Sequence, residues 1–361
     1  MSFSFLITGG AGFIGSNFIR YVQNKAPNLK IFNLDSLTYA GSFQNLQNLS
    51  NPKNHHFVKG DICNQDLVES ILEEQEINTI VHFAAESHVD RSLQGPDAFI
   101  KTNILGTFSL LEAARKVWLG KKDFDRNEVR FHHISTDEVY GSLAPDEPAF
   151  KETTPYAPNS PYAATKASSD HLVRSYAHSF GLPITISNCS NNYGPYQFPE
   201  KLIPLMILNA LTGNQLPIYG DGMQIRDWLY VDDHCDAIWT ILNKGKVGES
   251  YNIGGGNQPP NIKIVKTICQ ILDKKDLPSG SAPHEQLITY VKDRPGHDRR
   301  YAMNISKIKN ELGWEPKYDL ESGLSTTVDW YLNNLDWLNA IIQEKDYENW
   351  VDLNYQQRGK A

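Results

Sequence analysis

The chain reads as an α/β protein, a doubly wound parallel sheet followed by a smaller C-terminal α/β lobe that binds substrate. Three observations predict this. A glycine-rich turn, Thr8-Gly9-Gly10-Ala11-Gly12-Phe13-Ile14-Gly15, separates an apolar run at 3–7 from a helical pattern at 16–22. Short β-type runs then alternate with helical patterns through the first half, as they do when crossover helices join parallel strands. After residue 190 the texture changes, with short elements between turns such as Asn192-Tyr193-Gly194-Pro195, Tyr219-Gly220-Asp221-Gly222 and Gly254-Gly255-Gly256.

The opening turn carries the first functional signal. Strand, glycine turn and helix N-terminus together make a Rossmann-type pyrophosphate site. Glycine lets the backbone approach the phosphates, and the unpaired N–H groups of the helix favour negative charge. The spacing is GxxGxxG (Gly9, Gly12, Gly15) rather than GxGxxG. An acid is needed at the end of the second strand, roughly 20 residues on, for the adenosine ribose hydroxyls. Asp35 closes the run Lys30-Ile31-Phe32-Asn33-Leu34 and supplies it. No Arg follows closely to hold a 2′-phosphate, so the expected cofactor is NAD and not NADP. Asp61, after Phe57-Val58, falls near the adenine or serves as a turn or cap residue.

Further elements follow in order. Residues 79–85 read as the fourth strand, 97–118 as a long helix, 129–135 as the fifth strand, 160–180 as a second long helix and 183–188 as the sixth strand. Residues 231–243 read as helix, and 251–253 as a strand able to return to the main sheet. The expected division is 1–190 for the dinucleotide, with returning segments around 231–255. Residues 191–350 are mainly the substrate lobe, and 351–361 a surface tail.

Composition bounds the rest. The chain has 361 residues, 40% of them apolar, and seven Trp, ample for a sizeable core. The balance of 34 basic and 42 acidic residues gives a net charge of −8, which argues against a nucleic-acid surface. Four widely spaced cysteines (Cys63, Cys189, Cys235, Cys269) form no CxxC, so a reducing cytoplasm is expected, with neither disulfides nor metal. No leader and no membrane-spanning apolar run is read. Cys189 reads as a buried filler, and His82 and His88 lack ligand spacing.

The catalytic pattern lies on the second long helix and just past the fifth strand. Ser160 is a plausible N-cap and Pro161 suits the first turn. Tyr162 and Lys166, at i and i+4, share one face. A nearby ammonium is expected to lower the phenol's pKa, and Lys166 can also bond the nicotinamide ribose. In Ser135-Thr136-Asp137-Glu138-Val139-Tyr140-Gly141, Thr136 offers a hydroxyl to the substrate oxygen beside Tyr162. Desolvation and mutual repulsion would raise one carboxyl of the Asp137-Glu138 pair, so that one serves as acid and the other as base, as elimination of water requires.

On these residues the chain resembles the extended short-chain dehydrogenase/reductases, and within them the dTDP-glucose 4,6-dehydratases. The resemblance is carried by TGGAGFIGSNFIR (8–20), NLDSLTYAG (33–41), HFAAESHVDRS (82–92), ISTDEVYG (134–141), SPYAATKASSD (160–170), SNNYGPYQFPEKLIPL (190–205), GDGMQIRDWLYVDDH (220–234) and DRPGHDRRYA (293–302). It implies oxidation of a dTDP-hexose at C4, elimination across C5 and C6, and reduction at C6. In that scheme Tyr162 takes the C4 hydroxyl proton, Glu138 is the base at C5 and Asp137 the acid at the C6 hydroxyl. It implies NAD neighbours Phe13, Ile14, Ser36, Leu37, Thr38, Ile62, Phe83, Ala84, Ala85, Ser87, Thr102 and Asn192. Its substrate contacts would be Ser87, Thr136, Asn191, Lys201, Leu202, Pro217, Tyr219, Arg226, Asn261, Arg294 and His297, with Arg226 and Arg294 candidate clamps for the diphosphate because a guanidinium bonds phosphate in pairs. It also implies a homodimer packed through helices 97–118 and 160–180. Alternatives are a dehydratase for another nucleotide sugar, a UDP-sugar 4-epimerase, which needs no Asp-Glu pair, and a non-catalytic NAD-binding sensor.

Overall fold

The computed structural model describes residues 4–121, 124–275, 283–344 and 347. The strands in chain order are β1 (Ser4–Thr8), β2 (Lys30–Asp35), β3 (His55–Lys59), β4 (Thr79–His82), β5 (Arg130–Thr136), β6 (Ile184–Cys189), β7 (Asn191–Tyr193), β8 (Leu216–Tyr219), β9 (Trp228–Tyr230), β10 (Ser250–Ile253) and β11 (Ile288–Val291). Seven of them form one parallel sheet in the order β3-β2-β1-β4-β5-β6-β10. The order reverses between β1 and β4, and at such a switch point the carboxyl ends of the strands open onto a crevice. β8 pairs with β11, and β7 with β9, outside this sheet.

Helices cover both faces. The α-helices in chain order are α1 (Phe13–Lys25), α2 (Gln65–Glu74), α3 (Val89–Gln94), α4 (Pro96–Phe99), α5 (Thr107–Lys116), α6 (Pro161–Phe180), α7 (Leu202–Leu211), α8 (Val231–Lys244), α9 (Asn261–Asp273), α10 (Ser306–Leu312), α11 (Leu320–Asn333) and α12 (Leu335–Glu344). Leu6, Ile80, Phe131 and Ile184 pack beneath Val68, Leu72, Leu110 and Val173 of α2, α5 and α6. Phe5, Ile7, Ile31 and Val81 pack beneath Phe18, Ile19 and Val22 of α1 and Val231 and Ile238 of α8. Successive residues of one strand therefore serve opposite faces, which is why these strands read as continuous apolar runs. A separate core, with Leu205, Ile207, Ile218, Tyr230, Ile268 and Leu324, joins α7, α9 and α11 to β8 and β9.

Several elements differ from expectation. Sheet pairing of the fourth strand ends at His82, and Phe83-Ala84-Ala85 turn away over the glycine loop instead of extending it. The first helix begins at Phe13, because the extended Gly12 is its N-cap. The helix expected over 97–118 follows the short α3, starts as α4 and contains π-helical stretches at Ile100–Gly106 and Val117–Lys121. Asn103 lies in the first of these. Its side chain donates to the Glu86 carbonyl at 3.0 Å and to Thr165 Oγ1 at 2.9 Å and accepts from the Glu86 amide at 2.9 Å. Such bulges are frequent at functional sites, and this one ties the 83–88 segment to α6. The expected tail at 351–361 lies outside the described residues.

Trp118 locks this helix layer to the sheet: it is wholly buried and its Nε1 donates to the Ile77 carbonyl at 2.7 Å. Trp118→Ala is expected to lose about 3–5 kcal/mol of stability, read as a lower urea midpoint with unchanged slope.

Candidate active site

The glycine turn sits under the crevice and is shaped by contact, not by composition alone. Gly9 holds φ at +72°, and a Cβ there would lie 2.6 Å from the Ala84 amide nitrogen. A Cβ on Gly15 would lie 2.3 Å from the Gly9 carbonyl oxygen. Neither backbone neighbour can give way, so the turn excludes side chains and leaves its backbone facing the crevice. Asp35, at the end of β2, accepts from the Ala11 amide at 2.9 Å and from the Leu37 amide at 2.8 Å. The same carboxylate therefore fixes the glycine turn and lines the crevice. Asp61 accepts from the Cys63 amide at 2.9 Å and stands 3.3 Å from Lys101 Nζ; it is a turn residue and a crevice residue at once.

The crevice is a cavity of about 510 Å³. Gly9, Gly12, Phe13, Ile14, Gly15, Asp35, Ser36, Thr38, Asp61, Ile62, Phe83, Ala84, Ala85, Ser87, Thr102 and Asn192 line it, as do Thr136, Asp137, Glu138, Tyr162, Lys166, Asn191 and Lys201. Leu37 does not; its left-handed backbone (φ 56°) turns the chain back onto Asp35. The glycine cradle, the buried Asp35 and the length of this lining fit a dinucleotide. Asn192 is fixed at both ends, donating to the Ser190 carbonyl and facing His234 Nδ1 at 2.9 Å.

At the far end, β5 stops at Thr136 and a tight turn of 3₁₀ helix carries Asp137 and Glu138. Ser160 Oγ accepts from the Ala163 amide at 3.1 Å and, with Pro161, starts α6 so that Tyr162 and Lys166 share the cavity. Lys166 Nζ donates to the Ile134 carbonyl at 2.7 Å. The expected lowering of the Tyr162 phenol is not found. Burial, and next the charge of Glu138, push it well above its ordinary range, while the Thr136 hydroxyl pulls the other way. Lys166 is itself pushed down by burial, so its influence does not overcome the desolvation of the phenol.

The two carboxyls are treated unequally. Burial, then Glu138 and Asp227, push Asp137 well above the carboxylate range. Glu138 is also raised by burial, but Arg294, Arg226 and Lys201 draw it back. These cations come from the second core's side of the molecule. Arg226 donates to the carbonyls of Ile225 and Asp298 and lies 4.3 Å over the Tyr301 ring. Arg294 stands 3.8 Å from Asp90. His297, 2.6 Å from Asp293, is kept neutral by burial and by both guanidiniums, and its ring meets Tyr219 edge-on at 6.2 Å. Leu202, Pro217, Tyr219, Arg226, Asn261, Arg294 and His297 stand outside the lining of the cavity; Arg226 and Arg294 reach it through their field.

Sequence reasoning missed a second, part-buried cluster at the cavity wall, centred on the buried Glu200. Arg91 Nε lies 3.1 Å from Glu200 Oε2, and its guanidinium sits 4.1 Å over the Tyr39 ring. Tyr39, Glu86 and Glu200 all line the cavity. Glu200 and Tyr39 fall inside runs already singled out, yet nothing in their spacing reveals burial. Cys189 also lines the cavity, its Sγ 3.3 Å from the Ser135 carbonyl; burial pushes the thiol up to about 12. His82 is held between Thr8 and Thr107.

A dinucleotide crevice with a Tyr-Lys pair at its end defines an enzyme of the short-chain dehydrogenase/reductase class. Residues 6–327 match the family described as GDP-mannose 4,6 dehydratase. A dTDP-glucose 4,6-dehydratase of Xanthomonas campestris pv. campestris is 55% identical over 339 residues, covering 94% of this chain and 96% of that protein. The crystal structure of dTDP-glucose 4,6-dehydratase from Bacillus anthracis in complex with NAD has a TM-score of 0.83 at 46% identity, covering 94% of this chain and 99% of that one. The dTDP-glucose 4,6-dehydratase DesIV from Streptomyces venezuelae, with NAD and TYD bound, has a TM-score of 0.85 at 43% identity, with the same coverage. The chain belongs to the dTDP-glucose 4,6-dehydratase family.

Gly9→Ala should lower NAD affinity on the order of tenfold or more and also lower the melting temperature, as titration calorimetry and a thermal melt would show.

Proposed function

We propose that this chain is an NAD-dependent hydro-lyase converting dTDP-glucose to dTDP-4-keto-6-deoxyglucose and water. The observation that carries the reading is the Asp137-Glu138 pair, two adjacent carboxyls held in unlike surroundings in the cavity that holds Tyr162 and Lys166. When bound, NAD takes a hydride from C4 of the hexose and returns it at C6. Gly9, Gly12, Gly15 and Asp35 would hold its diphosphate and ribose.

Tyr162, beside Thr136, receives the C4 hydroxyl proton in its ionised form, which the positive charge of Lys166 one helical turn away favours against the burial that raises the phenol. The ketone at C4 makes the neighbouring C5–H removable, and Glu138 takes that proton and gives it back to C5 as C6 is reduced. Glu138 suits a base, because three cations favour its ionised form. Asp137 suits an acid, because burial and its neighbour favour its protonated form, and it protonates the departing C6 hydroxyl. The proton balance closes within the site. The water consists of the C6 hydroxide and one proton, so each turnover leaves Tyr162 with a proton and Asp137 without one. The Thr136 hydroxyl, 3.3 Å from Asp137 Oδ1, is placed to return it.

Residues 1–190, with 231–255, form the dinucleotide part, and 191–350 mainly the nucleotide-sugar part, where Arg226 and Arg294 clamp the diphosphate. The protein works as a homodimer. Leu93, Ile100, Leu105 and Phe108 leave an apolar surface exposed along the 89–121 helices, and a second copy packed against it and α6 would cover it. None of the described helices is long and apolar enough to cross a membrane, and free Cys63, Cys189, Cys235 and Cys269 suit the cytoplasm.

Incubation with dTDP-glucose followed by mass spectrometry decides the reading: the product has lost one water. A product of unchanged mass with an altered sugar would replace the reading with epimerisation. Tyr162→Phe should lower kcat by about 10²–10⁴. The acid limb of the kcat–pH profile should lie above the ordinary carboxylate range, because burial raises Glu138 and the base must be ionised. Arg294→Met, assayed at saturating substrate, removes the first of the groups that draw Glu138 down and should move that limb to still higher pH.

A further inference from the structure

Helix α6 carries more chemistry than the Tyr-Lys pair. Tyr162, Lys166, Asp170 and Arg174 follow one another at four-residue steps, so a phenol, an ammonium, a carboxylate and a guanidinium run along one stripe of the helix. Asp170 is wholly buried. Its Oδ2 accepts from Ser135 Oγ at 2.8 Å, from the Tyr156 hydroxyl at 2.7 Å and from Asn188 Nδ2 at 3.3 Å, and its Oδ1 faces His133 Nε2 at 3.2 Å. One carboxyl thus gathers β5, β6, the segment before α6 and α6 itself. Ser135 is the residue next to Thr136, and the carbonyl between His133 and Ser135, that of Ile134, receives Lys166 Nζ at 2.7 Å.

The charges around it leave Asp170 as the counter-ion of Lys166. His133 is pushed down to about 4 by burial first and by Lys166 next, and is neutral at working pH. The Tyr156 hydroxyl is raised and keeps its proton. His82, which also faces Lys166, is held far down by burial and stays neutral. Lys166 faces two acids, Asp170 and Cys189, and the thiol is pushed up to about 12 and stays protonated. Arg174 faces Asp170 from the other side, where it is engaged by Tyr156 Oη at 2.9 Å and Ser250 Oγ at 3.2 Å. A buried carboxylate with three donors remains ionised, and from one helical turn away it opposes the burial that pushes the Lys166 ammonium down.

We infer that Asp170 is a positioning residue of the reaction, the fixed anion that keeps the Lys166 ammonium charged and locks the end of β5 bearing Thr136 to helix α6. It touches neither the substrate nor the dinucleotide and acts through Lys166 and Ser135. This assignment rests on the dehydratase reading above.

The test is Asp170→Asn in the full chain with NAD, assayed for kcat and KM on dTDP-glucose across pH. Without the carboxylate, Lys166 gives up its proton at lower pH. The alkaline limb of kcat is therefore expected to move down by about one pH unit or more, with KM changed less than about twofold. Asp137 also needs its proton, but it answers to Glu138 and Asp227 and not to Asp170, so a moved limb reports Lys166. Tyr156→Phe removes one donor and leaves the charge. It should lower the melting temperature while the alkaline limb stays in place. An unmoved limb in Asp170→Asn, whatever its melting temperature, overturns the assignment, as does an equal shift in Tyr156→Phe. If Asp170→Asn is not recovered folded, Asp170→Ser, which leaves room for a water between the same donors, is held to the same criterion. A wild-type protein that fails to dehydrate dTDP-glucose overturns the dehydratase reading instead.

Discussion

Two carboxyls that share a site shielded from water cannot both carry charge without help. Asp137 and Glu138 are adjacent in the chain, at the carboxyl end of a central strand, and the molecule resolves their conflict by giving each a different neighbourhood. Asp137 faces Glu138 and Asp227 inside the protein. Glu138 faces Arg226, Arg294 and Lys201, which the other core brings across the crevice. The difference between the two carboxyls thus belongs to the contact between two cores, and neither core establishes it alone. The same cations suit a substrate that carries a diphosphate.

A second constraint is close approach. The glycine turn works because Gly9 and Gly15 bring backbone against backbone at Ala84 and at Gly9 itself. The fourth strand ends early for the same reason: Phe83, Ala84 and Ala85 must cross above that turn, and a sheet-paired extension would carry them past it. Asp35 closes the arrangement by accepting from Ala11 and Leu37, so one carboxylate holds the glycine turn and lines the crevice.

The sheet and helix α6 bury polar side chains where a core would ordinarily be apolar. His82, His132, His133, Ser135, Asp170 and Asn188 are all buried, and each is bonded or faced by another polar group. An unpaired member would be costly in so dry a place, so these groups hold strand ends and α6 in one arrangement. In a site where reacting atoms must be held to within a fraction of an ångström, that rigidity has a function.

Much of this was legible in the linear chain. The glycine spacing, the acid at Asp35, the alternation of β and helical patterns and the Tyr162–Lys166 step are local features, governed by backbone geometry and by the periods of strand and helix. They were sufficient for the sheet and the cofactor. What the chain order could not reveal depends on distance in space. Burial outweighs the ammonium at Tyr162, Glu200 meets Arg91 and Tyr39 across the crevice, and Asp170 gathers donors from β5, β6 and the segment before α6. Protonation states follow from desolvation and from the sum of surrounding charges, and both exist only after the chain has folded.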